Sequence, residues 1–176
     1  LEELTAKVKD KWTWESATLI WLQENGYKVH FIIPFDYQAF INDGEDYLYR
    51  DFGPEYAEAQ IEYSDIEQER RLAKLLIDQV NVEGRVPSQE EIRTFINQGF
   101  LVWCNINSKV LNDQPGYSGH GVLIYDFDQK RKIYHLHDPG LPPRPGREVE
   151  FSLFEQAWAY PNENAKNLTA IRLNET

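Results

Sequence analysis

The sequence lacks methionine entirely and contains a single cysteine, Cys104. One cysteine excludes an internal disulfide framework and favours a reducing, cytoplasmic compartment. No apolar run approaches the roughly 18 residues that a membrane-spanning helix requires, and no signal peptide is recognisable. Since no initiator methionine precedes Leu1, we expect that the natural N-terminus lies further upstream. We therefore expect a protein without a membrane partner.

Basic residues are scarce relative to acidic ones. The chain has 18 lysines and arginines against 29 aspartates and glutamates, a formal net charge of −11. Such a chain repels phosphate backbones unless its basic residues cluster into a patch. Arg70 and Arg71 lie in an acidic predicted helix, and Arg144 and Arg147 lie in a proline-rich segment. The sequence therefore argues against nucleic acid as a partner, and it leaves the oligomeric state open.

Length and composition predict one α+β domain over residues 1–176. Hydrophobic residues make up 41% of the chain and aromatic residues 14%, which is enough for a folded core. The patterns predict helices at residues 14–25, 36–43, 64–80, 88–99 and 152–159, and strands at residues 27–33, 100–107, 121–127, 132–137, 147–151 and 168–173. This order predicts helices first and then an antiparallel sheet of four or five strands, with the last strand at its edge.

Short sequence patterns predict where some helices begin and which segments between the predicted elements are irregular. Ser-x-x-Glu patterns predict helix starts at Ser64, Ser88 and Ser152. Residues 45–63 are acidic and tyrosine-rich without the ligand spacing of a calcium loop, so they are predicted to be a solvated connection. The proline-rich residues 138–146 are predicted to be irregular and to form a cleft wall.

A predicted β-hairpin carries the candidate site. His120 opens its first strand and Asp138 closes its second. A three-residue loop centred on Gln129 would pair these two residues directly, with Cβ atoms about 4.5–5.5 Å apart, so that the carboxylate orients the imidazole. An even-length loop would instead place Asp138 on the opposite face, because side chains alternate along a strand. The hairpin therefore predicts a His–Asp dyad that depends on the register.

Cys104 lies within an apolar run, residues 100–107, that is typical of a buried strand. A free cysteine there behaves as a small hydrophobic residue. A reactive thiolate normally needs a helix N-terminus or a neighbouring cation, which a position in mid-strand does not supply. Cys104 is therefore predicted to be structural.

The motif of Gly119-His120, an apolar strand, a short turn, a second strand and Asp138-Pro139 resembles the C39-like branch of the papain-like cysteine peptidases. The matching segments continue outward in the same order: Trp12-Thr13, Glu15-Ser16-Ala17 at a helix start, the Gly26-Tyr27 turn, residues 88–99, residues 102–111 and residues 116–120. The layout covers most of the chain and is particularly similar to the C39-like proteins that include the guanylyl-cyclase-domain-containing family.

This resemblance implies a papain-like fold, His120 as general base, Asp138 as its orienting group, a peptide or amide substrate, and no cofactor or metal. Papain-like enzymes place the nucleophilic cysteine on a helix near the N-terminus, preceded by an oxyanion-hole glutamine, and neither residue occurs before Trp12. We therefore expect either a nucleophile upstream of Leu1, or a catalytically inactive binding or scaffold domain that retains the fold.

The sequence gives weaker support to two other kinds of chemistry, a zinc-dependent hydrolysis and a nucleotide cyclisation. His135 and His137 alternate onto one strand face and, with His120 and Asp138, could bind zinc in a metal hydrolase; stoichiometric zinc in the purified protein would favour this alternative. Nucleotide cyclisation needs paired metal-binding carboxylates near a phosphate cradle, and the sequence contains no glycine-rich phosphate loop.

Overall fold

The computed structural model describes residues 10–174. The charged residues 1–11, for which the sequence predicts a helical or frayed lead-in, fall mostly outside the described residues. The chain forms two compact units. Of the described residues, a helical unit consists of residues 10–28 together with Phe35–Val82, and a sheet unit consists of Val29–Pro34 and residues 83–174. The single domain over residues 1–176 stays a prediction.

Within the described residues, the helical unit contains five helices. They are α1 (Ser16–Glu24), α2 (Tyr37–Asp43), α3 (Glu45–Phe52), α4 (Pro54–Tyr63) and α5 (Ile66–Gln79). The predicted solvated connection over residues 45–63 is therefore wrong, since α3 and α4 occupy it. Tyr47 and Leu48 are buried, and the Tyr47 ring packs edge-on against Phe35 with centroids 5.0 Å apart. Burial of these side chains stabilises helices in spite of the acidic composition.

The start of α5 differs from the prediction. Asp65, not Ser64, caps the helix, because its side chain accepts a hydrogen bond of 3.0 Å from the N–H of Gln68. Ser64 is buried, and its hydroxyl accepts a hydrogen bond from the indole N–H of Trp14. Two adjacent residues with capping side chains compete for one helix end, and here tertiary contacts decide between them.

Glu69 on α5 is only 5% exposed, and its Oε2 has no hydrogen-bond partner among the described residues. Burial, together with the nearby carboxylates of Asp65 and Glu15, raises the pKa of Glu69 to about 7, although a backbone hydrogen bond from Trp14 partly opposes this rise. The protein therefore carries a carboxyl group whose ionisation near neutral pH opposes folding.

Replacing this carboxyl with an amide, Glu69→Gln, is expected to stabilise the protein by about 1–3 kcal/mol at pH 8 and to change little at pH 4. The native pKa lies above that of an unfolded glutamate, so the wild-type protein loses stability as pH rises between roughly 4.5 and 7. Urea unfolding at pH 4, 6 and 8 measures the difference. Glu67→Gln, which changes an exposed carboxylate on the same helix, is the control. A Glu69→Gln gain that does not depend on pH would contradict the prediction.

In the part of the chain that the structure describes, the sheet is mostly antiparallel and has seven strands in the order β2-β1-β7-β3-β4-β5-β6. The strands are β1 (Tyr27–Ile33), β2 (Asn81–Gly84), β3 (Leu101–Asn107), β4 (Gly119–Asp128), β5 (Ile133–Asp138), β6 (Arg144–Glu150) and β7 (Leu168–Leu173). The predicted α+β class is confirmed, but the helices do not all precede the sheet, since β1 already follows α1. The predicted number of four or five strands is too low, and β2 lies between the helices predicted at residues 64–80 and 88–99, where no strand was predicted.

Two strand assignments need correction. β7 was predicted at the edge, but it lies between β1 and β3. Its residues Leu168, Thr169 and Ala170 are all buried, as in a strand covered on both faces. β6 begins at Arg144, inside the segment predicted to be irregular. The sheet ends at β6, and an edge strand tolerates a proline such as Pro145 because one side of its backbone needs no partner.

One face of this sheet packs against α6 (Gln89–Asn97) and α8 (Phe151–Trp158). The capping box predicted at Ser88 is confirmed at the start of α6. The box predicted at Ser152 is wrong, since α8 begins at Phe151 after Glu150 and has no side-chain cap. A short helix α7 (Ser108–Leu111) follows β3, and a 3₁₀ turn spans Glu163–Ala165. Among residues 10–174, no helix combines the length and apolar character needed to cross a bilayer.

Candidate active site

The hairpin that carries the site has an even-length loop. Asp128 pairs with Ile133, which leaves the four residues 129–132 in the turn. The Asp128 side chain accepts a hydrogen bond of 2.9 Å from the N–H of Arg131, and Lys132 adopts a left-handed conformation with φ of 56°. The predicted three-residue loop is therefore wrong. Without a further irregularity, this loop would place Asp138 on the face opposite to His120.

A β-bulge at Tyr125 supplies that irregularity. Asp126 pairs with His135, whereas Ile124 pairs with Leu136, so the first strand holds one extra residue between these two pairs. The bulge shifts the register by one residue and cancels the effect of the even loop. Ile124 and Leu136 both face the core and are fully buried.

As a result, His120 and Asp138 share the core face at the end of the hairpin. His120 Nε2 lies 2.6 Å from Asp138 Oδ1, and the side chains are 22% and 9% exposed. The predicted contact between these two residues is therefore present. Because an ionised carboxylate only accepts hydrogen bonds, Nε2 carries the proton of this bond. Nδ1 of His120 is the ring nitrogen left to act on a reacting group.

Asp138 accepts two hydrogen bonds in addition to the one from His120. The N–H of Gly140 donates to Oδ1 at 3.0 Å, and Nη1 of Arg147 donates to Oδ2 at 2.9 Å. Burial is the largest single influence and raises the pKa of Asp138, but the Gly140 N–H, His120 and Arg147 together outweigh it, so that this pKa lies below its ordinary value. Asp138 is thus an anion at neutral pH, fixed on both oxygens.

Arg147 is a site residue that sequence reasoning missed. Its side chain is 15% exposed, and while Nη1 contacts Asp138, Nη2 donates to the carbonyl of Leu111 at 2.6 Å. Leu111 is the last residue of α7. The Arg147 guanidinium therefore connects the Asp138 carboxylate to the end of α7, which precedes His120 in the chain. The proline-rich surroundings of Arg147 hid this role in the sequence.

The loop between α7 and His120 is anchored by a buried asparagine. Asn107, at the end of β3, accepts hydrogen bonds through Oδ1 from the N–H groups of Ser118 and Lys109, at 3.0 and 3.1 Å. Its Nδ2 donates to the carbonyl of Gly116 at 2.9 Å. Because Asn107 is only 1% exposed, these bonds hold the backbone that leads into His120.

Gly121, next to His120, permits a close approach of an aromatic ring. The indole of Trp103 lies over it, and a methyl group at position 121 would come within 1.9 Å of Trp103 Cζ2. Only glycine therefore fits beneath this ring in the present arrangement.

His135 and His137 do not join the dyad. They alternate with Leu136 and Asp138 and therefore face away from the core. His137 stacks on Tyr125 with centroids 4.6 Å apart, and its Nδ1 accepts a hydrogen bond from the N–H of Gly146. The four ligands of the zinc alternative therefore do not converge. Within residues 10–174 no group of three or more His, Cys, Asp or Glu side chains is arranged to hold a metal ion.

Cys104 lies in mid-strand on β3, opposite Val122, and is fully buried in the core. Its thiol is free, and burial raises its pKa well above the usual value. The predicted burial of Cys104 is confirmed, and the geometry does not suit a nucleophile.

Comparison with known proteins supplies no family: no family model matches the chain, and no curated protein is significantly similar to it.

Proposed function

We propose that this chain carries the base and the orienting residue of a C39-like cysteine peptidase, or of a related amide hydrolase or acyl-transfer enzyme with a papain-like fold. The observation that carries the proposal is the 2.6 Å contact between His120 Nε2 and Asp138 Oδ1 at the end of the hairpin. A buried anion on one ring nitrogen orients the imidazole and leaves the other nitrogen available for proton transfer.

In the proposed reaction, Nδ1 of His120 accepts the proton of a cysteine thiol, and Asp138 stabilises the resulting imidazolium. The thiolate attacks the carbonyl carbon of a peptide or amide. The C–N bond breaks, the leaving amine takes the proton from the imidazolium, and an acyl-enzyme remains, to be hydrolysed by water that His120 activates. The nucleophile is not Cys104, and we propose that it comes from sequence outside Leu1–Thr176.

A second candidate is a catalytically inactive binding or scaffold domain. It is favoured by one observation, namely that the single cysteine of the sequence is fully buried and has a raised pKa. In that case His120 and Asp138 would stabilise the end of the hairpin without chemistry.

Thiol labelling of the natural full-length product separates the two candidates. Intact mass and peptide mapping would follow reaction with a small alkylating reagent at neutral pH. If His120 activates a thiolate, we expect one cysteine outside this chain to react rapidly and to react at least about tenfold more slowly in His120→Ala. Cys104, being buried, is the internal reference and should react only on unfolding.

His137→Ala is the matched control, because His137 lies on β5 next to Asp138 but faces away from the dyad. Its labelling rate should equal that of the wild-type protein. A rate that is indifferent to His120, or the lack of any other cysteine in the natural product, would remove the hydrolase proposal and leave the binding domain.

A further inference from the structure

We infer that Arg147 is a positioning residue of the dyad: it holds Asp138 in the orientation that faces His120 and fixes that carboxylate to the end of α7. Its catalytic consequence rests on the proposed function. The positioning itself concerns only Arg147, Asp138 and His120, and it is measurable without any turnover.

The geometry of the guanidinium carries this inference. One nitrogen, Nη1, lies 2.9 Å from Asp138 Oδ2, and the other, Nη2, lies 2.6 Å from the carbonyl oxygen of Leu111. A planar fork that is held at both ends cannot rotate freely, so the position of its charge is fixed. Lysine would supply the charge through one flexible ammonium group, without a rigid pair of donors.

The two oxygens of the Asp138 carboxylate accept hydrogen bonds from different donors. Among residues 10–174, Oδ1 accepts hydrogen bonds from His120 Nε2 and the N–H of Gly140, whereas Oδ2 accepts one from Arg147 alone. Loss of Arg147 would therefore remove the donor to Oδ2, and in its present orientation this oxygen is not readily reached by water because the Asp138 side chain is only 9% exposed. The carboxylate could then rotate to reach solvent or take up a proton, and either change weakens the bond to His120.

The chain also contains a matched control. Arg144, on the same strand β6, donates through Nη1 to the side-chain oxygen of Asn112 at 3.0 Å. Asn112 directly follows Leu111, so both arginines connect β6 to the end of α7. Arg144 lies opposite Asp138 in the pairing of β5 with β6, but of the two arginines the side chain that donates to the Asp138 carboxylate is that of Arg147. Comparing the two arginines therefore separates positioning of the dyad from attachment of the loop.

The test is proton NMR of the His120 Nε2–H in the intact chain, assigned by its absence in His120→Ala. The wild-type protein and Arg144→Gln are expected to show a downfield resonance that exchanges slowly with water, as for a short bond to a carboxylate. In Arg147→Gln, exchange should accelerate at least about tenfold, in line with the effect of removing a group that orients a functional ligand. Arg147→Lys should give an intermediate rate.

A resonance whose exchange is unchanged in Arg147→Gln would overturn the inference, as would an equal acceleration in Arg144→Gln. If Arg147→Gln does not fold, as judged by circular dichroism, Arg147→Lys decides: exchange as slow as in the wild-type protein would then overturn it. Turnover separates this inference from the proposed function. A wild-type full-length product that is inactive but shows the slow Nε2–H would refute the hydrolase and retain the positioning role.

Discussion

Asp138→Asn is expected to destabilise the protein by about 3 kcal/mol at neutral pH, because it leaves the nearly buried guanidinium of Arg147 without its counter-charge. The same substitution should slow any reaction that uses His120 by about 10³-fold or more, since an amide no longer accepts the Nε2–H as a carboxylate does. Urea unfolding at pH 7 measures the first effect, and kcat/KM of an active full-length product measures the second.

The stability difference should depend on pH with a defined sign. The pKa of Asp138 is lower in the folded protein than in an unfolded chain, so this group contributes stability above its unfolded pKa of roughly 3.8, and the contribution disappears as pH falls through the lower folded value. The deficit of Asp138→Asn should therefore shrink as pH falls below roughly 3.8 and through the lower folded pKa of Asp138. Asp126→Asn, which alters an exposed carboxylate on β4, is the control. A deficit that stays constant down to acid pH would contradict this account.

The sequence correctly identified the contact between His120 and Asp138, although its register was wrong. The loop has an even length, which by itself would place Asp138 on the face opposite to His120. The extra residue at Tyr125 shifts the register by one residue and returns Asp138 to the face of His120. The sequence does not strongly indicate either the loop length or the bulge, since the turn lacks the glycine or asparagine that usually specifies a loop length. What the sequence did specify is a pair of apolar strands, residues 121–127 and 132–137, and the burial of one face of such a hairpin constrains its register.

The remaining parts of the site depend on pairings that local patterns do not contain. The role of Arg147 follows from the register of β6 against β5, and the Leu111 carbonyl is reached only through the tertiary fold. Residues 45–63 were misjudged for a similar reason, since burial of Tyr47 outweighs an acidic composition. Motifs that are complete within a few residues, such as the capping box at Ser88, were predicted correctly because their partners are close in sequence.

The second large effect is expected at the glycine beside the dyad. Gly121→Ala should destabilise the protein by about 2–3 kcal/mol, because the new methyl group and the six-membered ring of Trp103 cannot occupy the same space. Trp103 would have to leave its position or β4 would have to shift. Urea unfolding of the intact chain measures the loss, and the His120 Nε2–H resonance reports whether the strand carries His120 with it.

Gly119→Ala is the matched comparison, since it adds the same methyl group on the other side of His120. There the nearest atom is the hydroxyl oxygen of Tyr117, 2.9 Å away at the end of an exposed side chain that can swing aside, so the expected loss is below about 1 kcal/mol. In a Trp103→Leu background, Gly121→Ala should lose most of its effect, because the clashing ring is gone, which gives a coupling energy of about 2 kcal/mol. Equal losses at the two glycines, or an undiminished loss without the indole, would show that backbone conformation and not the contact with Trp103 requires glycine at position 121.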